Sequence, residues 1–308
     1  NTATTAEVIT NQNRILWYPQ KNAFMTGHLF VESADSVGQN SFASGYKSRA
    51  IGNYSQALGY MAVARGTYST AIGNQAIAVD TNSFALGEMA YAKGVESYAF
   101  GRGAKAIGNR SFAFGSESPG GSEGGFIWDP ASAPEATGSL SFAIGNGTKA
   151  QGRSSIAIGY NSIASKNFAL AMGYYSTASG IVSIAIGGNT KATGYSSSAM
   201  GTWTTASGIS STAMGTSIEA RGDYSFGIGL RFGSHLITDP NTMAIMGGKV
   251  GIGTVSPSYT LSVIGDIYAD GWLRVSGNHG LSFESWGGGW YMSDATWIRA
   301  HNDKNIYT

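Results

Sequence analysis

The chain has 308 residues, 45 of them Gly and none Cys, with charged residues at only 12 % and a net charge of +1 at pH 7. So few charges beside 42 % hydrophobic residues exclude an intrinsically disordered chain, and the near-neutral balance excludes the basic footprint of a nucleic-acid binder. The lack of Cys excludes thiol catalysis, Cys-ligated zinc and disulfides, and no apolar run is long enough for a membrane-spanning helix.

Residues 1–38 lack the repeat that dominates residues 39–229. The chain opens at Asn1 with no basic–apolar leader, which reads as a processed or trimmed product. The run Ile15-Leu16-Trp17-Tyr18-Pro19 is apolar and aromatic. Two readings stand for this segment. It caps the open edge of the first repeat, as solenoids require, or it is an attachment plug for whatever carries the molecule.

Residues 39–229 are periodic. The unit Ser-x-Ala-x-Gly starts at Ser41, Ser55, Ser69, Ser83, Ser97 and Ser111, then at Ser141, Ser155, Ala169, Ser183, Ser197, Ser211 and Ser225. The thirteen copies repeat every 14 residues except across the step from 111 to 141. With the first residue of each copy as offset 0, Ala recurs at offsets 2 and 9 and Gly at 4 and 11. A coiled coil is excluded, because each interior Gly costs a helix about 1 kcal/mol and Ala and Gly are not seam residues. The pattern predicts two short strands and two Gly corners per coil, stacked at roughly 4.8 Å into a rod roughly 60 Å long.

Alternation within the first strand assigns its faces. Offset 3 is bulky in twelve copies, from Leu58 and Ile72 to Met214 and Ile228, and is expected to fill the core. Offset 2 is Ala in twelve copies, Gly227 being the exception, and is expected to let rods approach one another closely. The expected packing residues are Ala57, Ala71, Ala85, Ala99, Ala113, Ala143, Ala157, Ala171, Ala185, Ala199 and Ala213. The Ser residues at offset 0 are expected to serve strand packing or corner hydrogen bonds. The long step holds an inserted loop, residues 116–135, with Phe126, Ile127 and Trp128 amid turn formers. These three either pack back on the roll or are offered to a ligand.

Residues 230–265 read as a connector, and 266–308 as a small aromatic-rich β module holding Trp272, Trp286, Trp290 and Trp297. Its rings either form the core of a module too small to be stable alone or stack on sugar rings.

The motifs Asn40-Ser41-Phe42-Ala43-Ser44-Gly45, Ser69-Thr70-Ala71-Ile72-Gly73 and Ser155-Ile156-Ala157-Ile158-Gly159, each followed by Ala-x-Gly, resemble the head repeats of YadA-like trimeric autotransporter adhesins. The resemblance implies an all-β fold, a left-handed parallel β-roll solenoid, a tight homotrimeric fibre and an adhesive role outside the cell. No heptad stalk or anchor barrel follows. Instead, Gly248-Lys249-Val250-Gly251-Ile252-Gly253-Thr254, Ser256-Pro257 and Gly265-Asp266-Ile267-Tyr268-Ala269 are similar to segments of phage-type tail fibres. The stretch from Trp286 to Asp294, with Trp297-Ile298-Arg299, resembles small modules of tail fibres and variable pilus-tip adhesins.

No catalytic constellation is visible. His28, His235, His279 and His301 are scattered without metal-ligand spacing, and neither a nucleophile elbow nor a phosphate-cradling loop occurs. Glu117, Glu123 and Asp129 cluster in the insertion. The Thr residues are too sparse for an ice-binding ladder. The expectation is a non-enzyme without cofactor or metal, outside the cell, on a cell surface or on the tail of a phage or phage-like injection particle. Its expected partners are itself as a homotrimer, a cell-surface glycan or protein receptor, and a baseplate or surface anchor. Candidate receptor-binding residues are Phe126, Ile127, Trp128, Trp286, Trp290 and Trp297. Two alternatives remain, a passive spacer rod carrying a separate binding domain and a polysaccharide-cleaving spike with paired carboxylates.

Overall fold

A computed structural model describes residues 9–117, 119–120, 127–275, 280–283, 285, 287–292, 296 and 298–300. The chain divides into two units, 1–248 and 249–308. Among the described residues no helix is long and apolar enough to cross a membrane. Short 3-10 turns are the only helical elements among them.

The first unit opens with a hairpin. Strand β1 (Ile9–Tyr18) pairs antiparallel with β2 (Ala23–Val31), and Asn22 turns the chain between them at φ 49°. Strand β2 then pairs in parallel with Phe42–Tyr46, the first strand of the repeat. From there the two strands of each coil stack into two sheets. The first has sixteen strands and ends at Met243–Met246, and the second has thirteen, from Arg49–Ala50 to His235–Ile237. Equivalent residues pair in register, Ala157 with both Ala143 and Ala171, for example. This is the parallel β-solenoid expected from the period.

Most coils turn their corners at three left-handed positions. Offset 4 is Gly, as at Gly59 (φ 128°), and offsets 6 and 13 mostly carry other residues, as at Met61 (φ 54°) and Tyr68 (φ 57°), with Gly103 and Gly147 the glycines at offset 6. A side chain in this region costs roughly 1–2 kcal/mol. The inter-coil hydrogen bonds Met61 N–H to Tyr46 O (2.7 Å) and Tyr68 N–H to Asn53 O (2.8 Å) hold the strained residues in place. The Gly at offset 11 has a different cause. Gly52 has no positive φ, but a Cβ there would lie 2.0 Å from the carbonyl oxygen of Gly66 in the next coil.

The interior reverses the expected faces. Offset-3 side chains point outward, with Leu86 39 % and Phe114 52 % exposed. The offset-2 residues Ala57, Ala71, Ala85, Ala99, Ala113, Ala143, Ala157, Ala171, Ala185, Ala199 and Ala213 are 0 % exposed within the single chain, so they cannot be the contacts between rods. The physical reason is width. Fourteen residues enclose a slot that holds only Ser, Ala, a second small residue and Ala, as with Ser55, Ala57, Ala62 and Ala64. Several buried Ser hydroxyls turn to the corner, as Ser155 Oγ donating to Gly152 O and Ser183 Oγ to Gly180 O, both 2.6 Å, whereas those of Ser55, Ser69, Ser97 and Ser111 have no partner among the described residues.

Bulk enters chiefly at the ends of the solenoid, with Val63 buried among the early coils. Leu16, Tyr18, Met25, Leu29, Val31 and Val37 are buried at the start, and Ile218 and Ile237 at the finish. The exceptional Gly227 belongs to this second group, since a Cβ there would lie 2.7 Å from Ile237 Cδ1 and 3.0 Å from Ile218 Cδ1. The roll also runs past residue 229. Phe226 pairs with Met243 and Glu219 with Leu236, a coil three residues longer than the rest. The region 230–265 is therefore not one connector, because its first part is solenoid.

In the second unit, Val250–Ile252 pairs in parallel with Leu261–Val263. Gly280–Phe283, Gly288–Tyr291 and Arg299–Ala300 form an antiparallel sheet, with Phe283 and Trp290 edge to face at 5.9 Å.

Candidate functional site

The small core displaces most large apolar side chains of the repeat onto the surface, and the outward face of the first sheet collects many of them at offsets 1 and 3. Around the middle of the roll this face is aromatic. Phe84 and Phe100 lie 5.4 Å apart, Phe100 and Phe112 5.5 Å, and Phe112 and Phe142 6.0 Å. Further along, Ile156, Ile158, Leu170, Met172, Ile184 and Ile186 continue the stripe at intermediate burial. A contiguous apolar face of this kind is uncommon on a monomeric soluble protein.

The insertion leaves the solenoid undisturbed. Lys105 and Ala106 pair directly with Glu135 and Ala136, and Phe112 with Phe142, so the coil closes beneath the loop. Two contacts tie down its base. Glu117, 4 % exposed, accepts from Arg102 Nε at 2.8 Å, and Arg102 also reaches Glu88 at 3.0 Å. Asn146 Nδ2 donates to Ser116 O at 3.0 Å. Of the apolar triplet, Phe126 lies outside the described residues, while the backbone of Ile127–Trp128 pairs antiparallel with Pro119–Gly120. In the C-terminal unit Trp290 is 48 % exposed within its sheet, and Trp286 and Trp297 lie outside the described residues.

The corners carry aromatic stacks that motif reasoning missed. His28, Tyr46 and Tyr60 stack at 4.7 and 4.9 Å, and Tyr54 on Tyr68 at 4.9 Å. The signal was present, because Tyr46 and Tyr60, like Tyr54 and Tyr68, are one coil apart. Among the described residues no group of three or more His, Cys, Asp or Glu is placed to hold a metal ion.

The family model of the YadA head domain repeat matches this chain at 36–62, 50–76, 64–88, 92–118, 136–162, 164–190 and 192–217, together more than half of its length. Residues 238–308 match the bacterial shufflon protein, N-terminal constant region. Shufflon proteins A', B and C' of Escherichia coli are each 49 % identical to this chain over 45 residues, which is 14 % of this chain and 10 % of each relative. The chain thus spans about a tenth of the length of these curated relatives. The matches in this region are to shufflon proteins, and the similarity to phage tail fibres gains no support from them.

Proposed function

The chain belongs to the YadA head domain repeat family, and from that premise we propose that it is a surface-exposed homotrimeric fibre attaching its bearer to a receptor or glycan on another cell. The observation that supports this reading most is the inversion of the solenoid. Its interior is mostly Ala and Ser, while many of its large apolar side chains line the outward face of the first sheet. Covering such a stripe stabilises by about 25 cal/mol per Å² of apolar surface removed from water. Copies packed stripe to stripe around a common axis close the contact without leaving an open end.

Attachment is assigned to the parts that interrupt the rod. The loop at 118–128 and the C-terminal unit would each be present three times, and three weak sites on one rigid body gain avidity through effective concentration. The shufflon match over 238–308 supports a surface location for that end.

The test compares the whole chain with one in which 118–128 is replaced by a short Gly-Ser link, keeping Glu117 and its ion pair. Attachment to cells should fall while sedimentation and melting stay unchanged. Attachment by neither the whole chain nor the replaced one would leave the protein a spacer and overturn the adhesive reading.

A further inference from the structure

Beside the base of the insertion, the corners of three successive coils border a groove of about 500 Å³. We propose that this groove binds a neutral, hydroxyl-rich saccharide, with Asp129 and Asn161 pairing its hydroxyls and Tyr160 and Tyr175 supplying the platform. The proposal rests on the adhesive reading above and adds to it a contact site beside the insertion, with its own chemistry.

The groove is built by convergence. Asn146 and Tyr160 are paired neighbours in adjacent strands, and the return leg of the insertion brings Asp129 across from them. Tyr160 and Tyr175 are 41 % and 43 % exposed and meet edge to face at 5.6 Å, and Tyr174 stacks on Tyr160 at 5.4 Å and meets Tyr175 edge to face at 4.6 Å, which fixes the rings of a partly exposed aromatic cluster. Rings of this kind, apolar on one side and wet on the other, suit the C–H face of a pyranose.

The polar groups are held in place before any guest arrives. Asp129 Oδ1 accepts from Ala131 N–H at 2.9 Å, which orients the carboxylate. Asn146 is anchored through Nδ2 to Ser116 O, and its Oδ1 is buried with no donor among the described residues. Asn161 lies over Gly147, where a Cβ would fall 1.9 Å from Asn161 Oδ1. The glycine therefore leaves the space that the amide occupies.

The charges choose among guests. Asp129 and Lys149 both line the groove, and neither has an ion-pair partner among the described residues. One acceptor and one donor of opposite sign favour a neutral polar guest over a polyanion or polycation. An extended peptide is disfavoured, because strand addition needs a free edge. The strands Phe142–Asn146, Ile156–Tyr160 and Leu170–Tyr174 sit inside a continuous sheet and are already paired.

The test uses the full chain, with immobilised oligosaccharides of hexoses, N-acetylhexosamines and uronic acids, and immobilised extended peptides, as probes. Cell attachment is measured on the same preparations. Asp129→Asn should weaken retention of a neutral probe about tenfold, the loss of one charge-assisted hydrogen bond. Tyr160→Ala should abolish retention, and Arg153→Ala, at a different corner, should leave it unchanged. Sedimentation of Asp129→Asn must match the parent, so that its loss reads the groove and not the assembly. Undiminished retention in both groove variants overturns the proposal. So does cell attachment with no saccharide retained, which leaves the adhesive reading standing. Retention of extended peptides in place of sugars, lost in the same variants, overturns the saccharide class. Saccharide retention that depends on Asp129 without cell attachment supports the groove and overturns the adhesive reading.

Discussion

Ala157 lies between Ala143 below and Ala171 above, all at 0 % exposure, in a slot that admits a methyl group and little more. A carboxylate there has neither water nor a cation, so Ala157→Asp should cost about 3–5 kcal/mol. Asn161→Asp, on a partly exposed corner, should stay within about 0.5 kcal/mol. Thermal melting followed by circular dichroism separates the two, and equal midpoints would show that offset 2 does not face the interior. The neighbouring hydroxyl contributes less. Ser155→Ala removes one 2.6 Å bond to Gly152 O and should cost about 1 kcal/mol. The glycines divide by cause. Gly59→Ala meets both a positive φ and a Cβ 2.3 Å from Gly73 O, whereas Gly52→Ala meets the steric contact alone. Gly59→Ala should therefore lower the melting point, and relaxation of the adjoining corner will not rescue it.

The inserted segment depends on one buried carboxylate. Arg102 sits between Glu88 and Glu117, and the Glu117 side chain is 2 % exposed. Glu117→Gln takes the charge from the buried partner of Arg102 and should cost about 1–3 kcal/mol. Limited proteolysis should then cut within 118–128 sooner, with fragment masses ending there, and an unchanged cleavage rate would show that the pair does not hold the loop. The position of this segment was legible in the sequence, because the step from Ser111 to Ser141 breaks a period that otherwise fixes every strand and corner. Three other features were not legible. The alternation of Ala157 and Ile158 gave the right parity but the wrong side, since the rule that bulk fills a core fails in a coil of this width. The last coil was hidden by three extra residues before Met243. The groove at Asp129 joins residues spread from 129 to 175, which only the stacking of coils and the return of the insertion bring together. The candidate triplet at Phe126 had composition as its sole signal, and composition does not say which way a ring points.

A rod with an Ala and Ser interior buries little apolar area for its length, and its repeats contact only their neighbours, so cooperativity along the axis is nearest-neighbour in kind. On the proposed reading, lateral assembly through the outward stripe supplies what the interior lacks. Phe114 and Phe142 lie on neighbouring strands of that stripe, 52 % and 42 % exposed in the single chain, and neither contributes to the interior. Replacing both with Asp should leave the coil intact and bring like charges together wherever copies meet. The parent is expected to sediment as three chains and to melt higher as concentration rises, because association stabilises by mass action. The double variant is expected to sediment as one chain, with a β-type dichroism spectrum and a midpoint that no longer depends on concentration. Salt gives an independent check on the cause. An apolar joint should hold or tighten as salt rises, since screening weakens only charge pairs. A double variant that still sediments as three chains, or a parent that dissociates in high salt, would move the joint off this stripe and onto charged positions elsewhere on the roll.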